Sequence, residues 1–256
     1  MKLDYEEFDL SGVRRYPLAS RASKVRREDF ARPHVPGSGI GTWLTCLPKL
    51  LAARDLVAVI DAIVEATKRP APVVWGLGAH VIKAGLSPVL VDLMTRGFVS
   101  ALAMNGAGLI HDVEIALSGA TSEDVDAALG PGTFGMAEET GTGINRAIVD
   151  GVARGWGLGR AVAEWLTHQA PTHAEASLLC TALRLGIPVS AHVAVGTDIV
   201  HMHPDASGAA IGEGSLRDFR HFASSVARLG GGVYLNCGSA VVLPEGLQGY
   251  PLFEDF

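Results

Sequence analysis

Residues 90–117 read LVDLMTRGFVSALAMNGAGLIHDVEIAL. Val89, Leu90, Leu93 and Met94 recur at helical spacing, and the helix they predict stops at Gly97. Ser87-Pro88 predicts its start, a side-chain cap followed by proline at the first helical position. Phe98 to Met104 is a strand-length apolar run that enters Asn105-Gly106-Ala107-Gly108. A helix from about Leu109 follows, with His111, Asp112 and Glu114 near its start. The residues upstream repeat the pattern. A strand over Pro72 to Trp75 runs into Gly76-Leu77-Gly78-Ala79-His80 and then an apolar, helix-like stretch. Strand, glycine-rich turn and helix in succession are the rhythm of a parallel sheet with helices on its faces.

The same alternation continues downstream. Ser122-Glu123-Asp124 caps a short helix, and helical patterns fill most of 136–186. A strand over Ile187 to Val195 ends at Gly196-Thr197-Asp198, with Ile199-Val200 as a short apolar continuation. Ser215 to Leu229 reads as a helix. Gly230-Gly231-Gly232 then leads into a strand, Val233 to Leu235, that ends at Asn236-Cys237-Gly238-Ser239. Upstream, Trp43 to Lys68 is helical in pattern and closed by Pro70. Residues 1–36 form a basic N-terminal arm: Arg14, Arg15, Arg21, Lys24, Arg26, Arg27 and Arg32 are a third of the 21 Lys and Arg. Such an arm is either solvated or used to wrap a neighbouring subunit or reach a phosphate. Residues 37–256 are expected to form a single α/β domain, a Rossmann-like parallel sheet with helices on both faces.

Composition narrows the function classes. The chain has 256 residues and a formal net charge of −6, which argues against a nucleic-acid binder working by bulk charge. Mean hydropathy is +0.27, so a membrane span has to be sought. The longest stretch without a charged side chain runs from Leu229 to Pro244, is broken by three glycines, and is shorter than the roughly 18 apolar residues a span needs. The acidic N-terminus has no signal-peptide core. Cys46, Cys180 and Cys237 are too widely spaced for a disulfide framework or metal knuckle. A cytoplasmic protein with no nucleic acid and no membrane among its partners is the expectation.

Glycine-rich turns at the carboxyl ends of parallel strands let backbone N–H groups approach a ligand, and the helix that follows adds the positive end of its dipole. Gly76, Gly78, Ala79, His80, Asn105, Gly106, Ala107 and Gly108 are the cofactor-binding candidates on this ground; any one turn alone is equally explained as a tight strand-to-helix connection. The standard dinucleotide fingerprint is absent, because Val81 stands at its third glycine position. At the helix start, His111 is an acid/base candidate and Asp112 a ribose-binding one, although the dipole alone would explain a carboxylate there. Asp198 ends a buried strand, where a carboxylate binds an amine or a ribose hydroxyl, or caps the next turn. His201-x-His203 has the spacing of a metal pair but no accompanying ligand, so no metal is expected. Cys237 reads as an inert thiol.

The stretch Leu90 to Leu117 resembles the segment of deoxyhypusine synthases in which a helix, a strand, a glycine turn and an acidic helix start follow in order. Gly76 to Gly85 is similar to that family's preceding turn. Ile187 to His203 is similar to its strand ending in an Asp-containing loop, and Gly230 to Val233 to its Gly-Gly-Gly-Val run. The order is kept over roughly residues 70–240. A similar arrangement occurs in the NAD-binding region of some ornithine cyclodeaminases. The resemblance implies a deoxyhypusine synthase-like NAD-binding fold, with NAD touching Asn105 to Gly108, Gly231 and Gly232, and a homotetramer with sites between subunits. It also implies an amine-holding role for Asp198; in the enzyme reading, His111 or His201 is expected to move the proton.

The departures from that pattern are specific. Ile110 and His111 replace two acidic residues, Val193 replaces an Asp, and Leu235-Asn236-Cys237 replaces Lys-His-His. No Lys follows Lys83, so the family's imine chemistry on a downstream Lys is not open to these residues. The tail at Gln248-Gly249-Tyr250-Pro251 suggests that a C-terminal part is missing. The expected function is therefore NAD-dependent transformation of a small amine or amino acid, not deoxyhypusine synthesis. The alternative is a non-catalytic nucleotide-binding or regulatory protein.

Overall fold

The computed structural model describes residues 7–238; the expected turn residue Ser239 and the 248–251 tail lie outside the described residues. The chain divides into two compact units, Met1–Ile60 and Asp61–Phe256, with the division inside a helix, α2 (Leu51–Lys68). The first unit holds two 3-10 turns (Leu18–Ser20 and Arg27–Asp29), α1 (Ile40–Cys46) and the start of α2. None of its described residues is buried.

Among the described residues the second unit has four strands: β1 (Val73–Leu77), β2 (Ala101–Asn105), β3 (Val189–His192) and β4 (Val233–Cys237). All pairings are parallel, in the order β3-β2-β1-β4. This is the order of the first four strands of a doubly wound Rossmann sheet. The chain moves outward from β1 to β3, then returns to the far side of β1. Right-handed crossovers therefore place the connecting helices on opposite faces.

Strand alternation shows both faces. Leu77, Leu102, Met104 and Ala191 pack into the larger core with α3 (Ala79–Lys83), α4 (Ser87–Thr95), α5 (Gly106–Ser118), α7 (Ile144–Ala153), α8 (Leu158–His168) and α9 (Leu178–Leu185). The short α6 (Val125–Leu129) lies between α5 and α7 in the chain and is capped by Asp124, as its sequence predicts. Val74, Ala101, Ala103 and Tyr234 face Phe222 and Phe219 of α10 (Gly208–Val226).

Two local expectations are corrected. Ser87 does not cap α4: Leu86 holds that position, and the Ser87 hydroxyl is buried without a hydrogen-bond partner. Helix α5 starts at Gly106 rather than near Leu109, because Asn105 turns its side chain back to accept the Gly108 N–H (2.9 Å).

Asp218 ties α10 to two neighbours. Its Oδ2 accepts the N–H groups of Gly159 in α8 and Ala191 in β3, both at 2.8 Å. Burial pushes its carboxyl up from 3.8 to about 6, against the opposing pull of the N–H groups of Gly159, Ala191 and Leu158 and of Arg217. The folded state thus holds the proton more tightly than the unfolded one. The stability Asp218 contributes is intact below its unfolded pKa and declines as pH rises to about 6, by about 3 kcal/mol. Denaturant unfolding of the native protein and Asp218→Asn across that window should show this loss in the native chain alone. A difference between the two that does not change with pH would refute it.

Candidate functional site

The carboxyl edge of the sheet brings the predicted turns together. His192 of β3 stands opposite Asn105 of β2 in the parallel register. Leu77 of β1 stands opposite both Met104 and Cys237, so the next residue, Gly78, lies between β2 and β4. The switch point of the strand order falls between β1 and β4, where ligands of open α/β sheets bind.

At that point the backbone is close-packed. The Gly78 N–H donates to the Cys237 carbonyl (2.8 Å), and Gly78 precedes α3. Gly76, Gly78 and Ala79 are buried, whereas the His80 side chain is exposed. Val81, which stands at the fingerprint's third glycine position, packs against Gly238, the residue after β4. A Cβ on Gly238 would lie 2.9 Å from Val81 Cγ2. The absent side chain of Gly238, the residue after β4, thus leaves room for Val81.

One strand over, Gly106 opens α5 directly beneath Asp198. A Cβ on Gly106 would sit 2.0 Å from Asp198 Oδ2, so this carboxylate occupies the space that only glycine leaves. Burial raises the Asp198 carboxyl above its usual range, and His201 partly offsets this. Asp198 and His201 form a capping box around the 3-10 turn Ile199–Met202. His201 Nδ1 accepts the N–H groups of Gly196 and Asp198, both at 3.1 Å. That bonding holds His201 as the tautomer with its proton on Nε2.

The other predicted residues are placed elsewhere. His111 lies within α5, where Nδ1 is 2.6 Å from Thr121 Oγ1 and 3.8 Å from Glu114. Burial pushes the Glu114 carboxyl up, but hydrogen bonds from His111, Thr121 and Thr140 outweigh it and leave it below its usual range. Asp112 points away from His111 and is fully buried. Its oxygens accept the Ser177 hydroxyl (2.6 Å) and the N–H groups of Leu178 (2.8 Å) and Leu179 (3.0 Å). Asp112 thus caps α9 and is enclosed away from the carboxyl edge, in contrast to the cofactor role read from the sequence. Gly231 and Gly232 lie at the amino edge, just ahead of β4, at the end of the sheet opposite the other cofactor candidates. A Cβ on Gly232 would meet the Pro72 carbonyl at 2.1 Å, so the glycine run serves the turn into β4. His203 is buried, with Nε2 2.8 Å from the Gly135 carbonyl, and does not join His201. Among the described residues no group of three or more His, Cys, Asp or Glu could hold a metal ion, and no helix is long and apolar enough to cross a membrane.

His192 is a residue of the edge that the sequence marks only as one of five histidines in or beside apolar runs, without a site role. Its ring sits edge-on to Phe222 (5.3 Å), and Nε2 lies 2.9 Å from Ser190 Oγ. Burial lowers its pKa to about 4, so it stays neutral at physiological pH. Its position as the last residue of a strand was the only further signal.

The fold and edge define an α/β chain with a four-stranded, parallel, Rossmann-ordered sheet. No family model and no curated protein matches it. Among solved structures it is similar to apo ArgZ, an arginine dihydrolase from the ornithine-ammonia cycle in cyanobacteria (18% identity, TM-score 0.47, 76% of this chain and 25% of that one). It is also similar to a conserved LOR/SDH-like protein from Methanococcus maripaludis S2 (18% identity, TM-score 0.42, 68% of this chain and 47% of that one). The chain therefore spans less than half the length of either structure.

Proposed function

We propose that this chain binds NAD at the carboxyl edge of the sheet and acts there on a small amine or amino acid held by Asp198. The observation that carries the reading is the strand order, which brings Gly78, Gly238 and the Gly106–Asp198 contact to one edge. The residues present fit a dinucleotide in one arrangement. The Asp198 carboxylate over Gly106 repels a pyrophosphate from the start of α5, so in this proposal the pyrophosphate lies on the turn Gly78 to His80, against the N–H groups of Ala79 and His80, since the Gly78 N–H is taken by the Cys237 carbonyl. Asn105, Gly106 and Ala107 then face the substrate side of the cofactor. NAD supplies a hydride acceptor. Asp198 holds the ammonium group and orients the carbon that bears it. The deoxyhypusine synthase-like character and the homotetramer are part of this proposal and rest on the sequence resemblance.

A second reading, nucleotide binding without chemistry, is favoured by one observation. Both histidines expected to move protons are committed, His201 to two backbone N–H groups and His111 to Thr121 and Glu114. Calorimetric titration of the purified chain with NAD and with NADP tests both. Saturable binding near one site per chain is expected; a folded protein that binds neither overturns the proposal. Addition of polyamines and basic amino acids to the loaded protein then separates the readings. Formation of reduced cofactor, seen by absorbance, marks the enzyme, and stabilisation without turnover marks the binder.

A further inference from the structure

A cavity lies at the other end of the sheet. It is a groove of about 700 Å³ along the amino ends of β1, β2 and β3, closed by α8, the end of α9 and the second half of α10. The groove opens at the amino ends of the strands, and none of Gly78, Gly106, Asp198 and His201 lines it; its inner end, Ser190 and Phe222, adjoins His192. Its size falls within the roughly 300–1,000 Å³ of small-molecule sites.

The floor is apolar, formed by Val74, Ala101, Ala163 and Phe222. The polar atoms beside it are already satisfied. Ser190 Oγ bonds the Leu102 carbonyl and His192, and Asp218 Oδ2 takes two backbone N–H groups. The rim is cationic. Arg160 stacks on Trp156 (4.6 Å) and is neutralised by Glu164 (3.4 Å). Arg228 bonds only the carbonyl (3.2 Å) and hydroxyl (2.7 Å) of Ser224, both uncharged, and makes no ion pair with a described residue. An apolar trough with the Arg228 guanidinium at its mouth, and with the Asp218 carboxyl that also lines it tied to the Gly159 and Ala191 N–H groups, matches a ligand with one negative charge and an aliphatic or aryl tail. A nucleotide matches poorly, since the floor offers no free donors or acceptors for a base and the rim has one uncommitted guanidinium for several phosphate charges.

We propose that this groove is a binding site for an amphipathic monoanion, its tail on the Val74–Phe222 floor and its carboxylate on Arg228. The test is titration of the full chain with decanoate, followed by calorimetry and by tryptophan emission, with decanol as the neutral control. Decanoate should bind saturably, once per chain, at least tenfold more tightly than decanol. Arg228→Gln, at an exposed position, should leave the melting temperature unchanged and weaken decanoate about tenfold without affecting decanol. Ser225→Trp, which fills the groove, should abolish both. Equal affinity for decanoate and decanol, uptake without saturation, or an Arg228→Gln protein that binds decanoate normally would each overturn the proposal. NAD binding at the opposite edge is measured separately, so the two proposals fail independently.

Discussion

Replacing Asp112 by alanine is expected to cost about 4 kcal/mol of folding stability and to lower the melting temperature by roughly 8–16 °C. The carboxylate is fully buried and serves as the acceptor for the Ser177 hydroxyl and the Leu178 and Leu179 N–H groups at the start of α9. Alanine removes the acceptor and leaves those donors in a place water does not reach. Burial raises the Asp112 carboxyl, and the same donors, Ser177 first, oppose the rise. Asp112→Asn keeps one acceptor oxygen and should lose about half as much. Thermal melts and urea unfolding of both variants check this. A loss below about 1 kcal/mol for the alanine variant would show that water or a rearranged Ser177 takes over the cap.

Asp112 also shows how far the sequence could be read. Its place after a glycine turn, near a helix start, suggested a ligand-facing carboxylate. The partner that makes it structural, the Ser177-Leu178-Leu179 turn, lies more than sixty residues away, and no local pattern announces it. The strands and their turns were legible because apolar runs ending in glycine specify buried parallel strands. Their order was not, since β4 pairs with β1 only through the return of the chain over the opposite face. That order moved Gly231 and Gly232 to the amino edge and brought Gly238 against Val81, a contact between residues far apart in the chain. The Asp198 reading fared differently. A carboxylate at a strand end was legible as a site or a cap; the structure shows a capping box with His201 and sets the carboxylate over Gly106.

Asp198→Asn is expected to weaken the amine ligand of the cofactor-loaded protein about 100-fold while changing NAD affinity less than threefold. The first figure corresponds to about 2.7 kcal/mol, the upper range for a hydrogen bond to a charged group in partly buried surroundings. The pH dependence follows from the same burial. The carboxyl is raised above its usual value, so the charged form that holds an ammonium is lost at a higher pH than for an exposed Asp. Amine affinity should therefore fall as pH drops through that raised value, and the asparagine variant should lose this dependence. Gly106→Ala separates position from charge. A methyl group there would collide with Asp198 Oδ2, forcing an intact carboxylate out of place. If charge held at that point is what binds the amine, Gly106→Ala should approach the asparagine variant in affinity, and the double variant should lose little more than either alone. Additive losses would mean that the two residues act on different ligands, and normal amine binding by Asp198→Asn would remove Asp198 from the site.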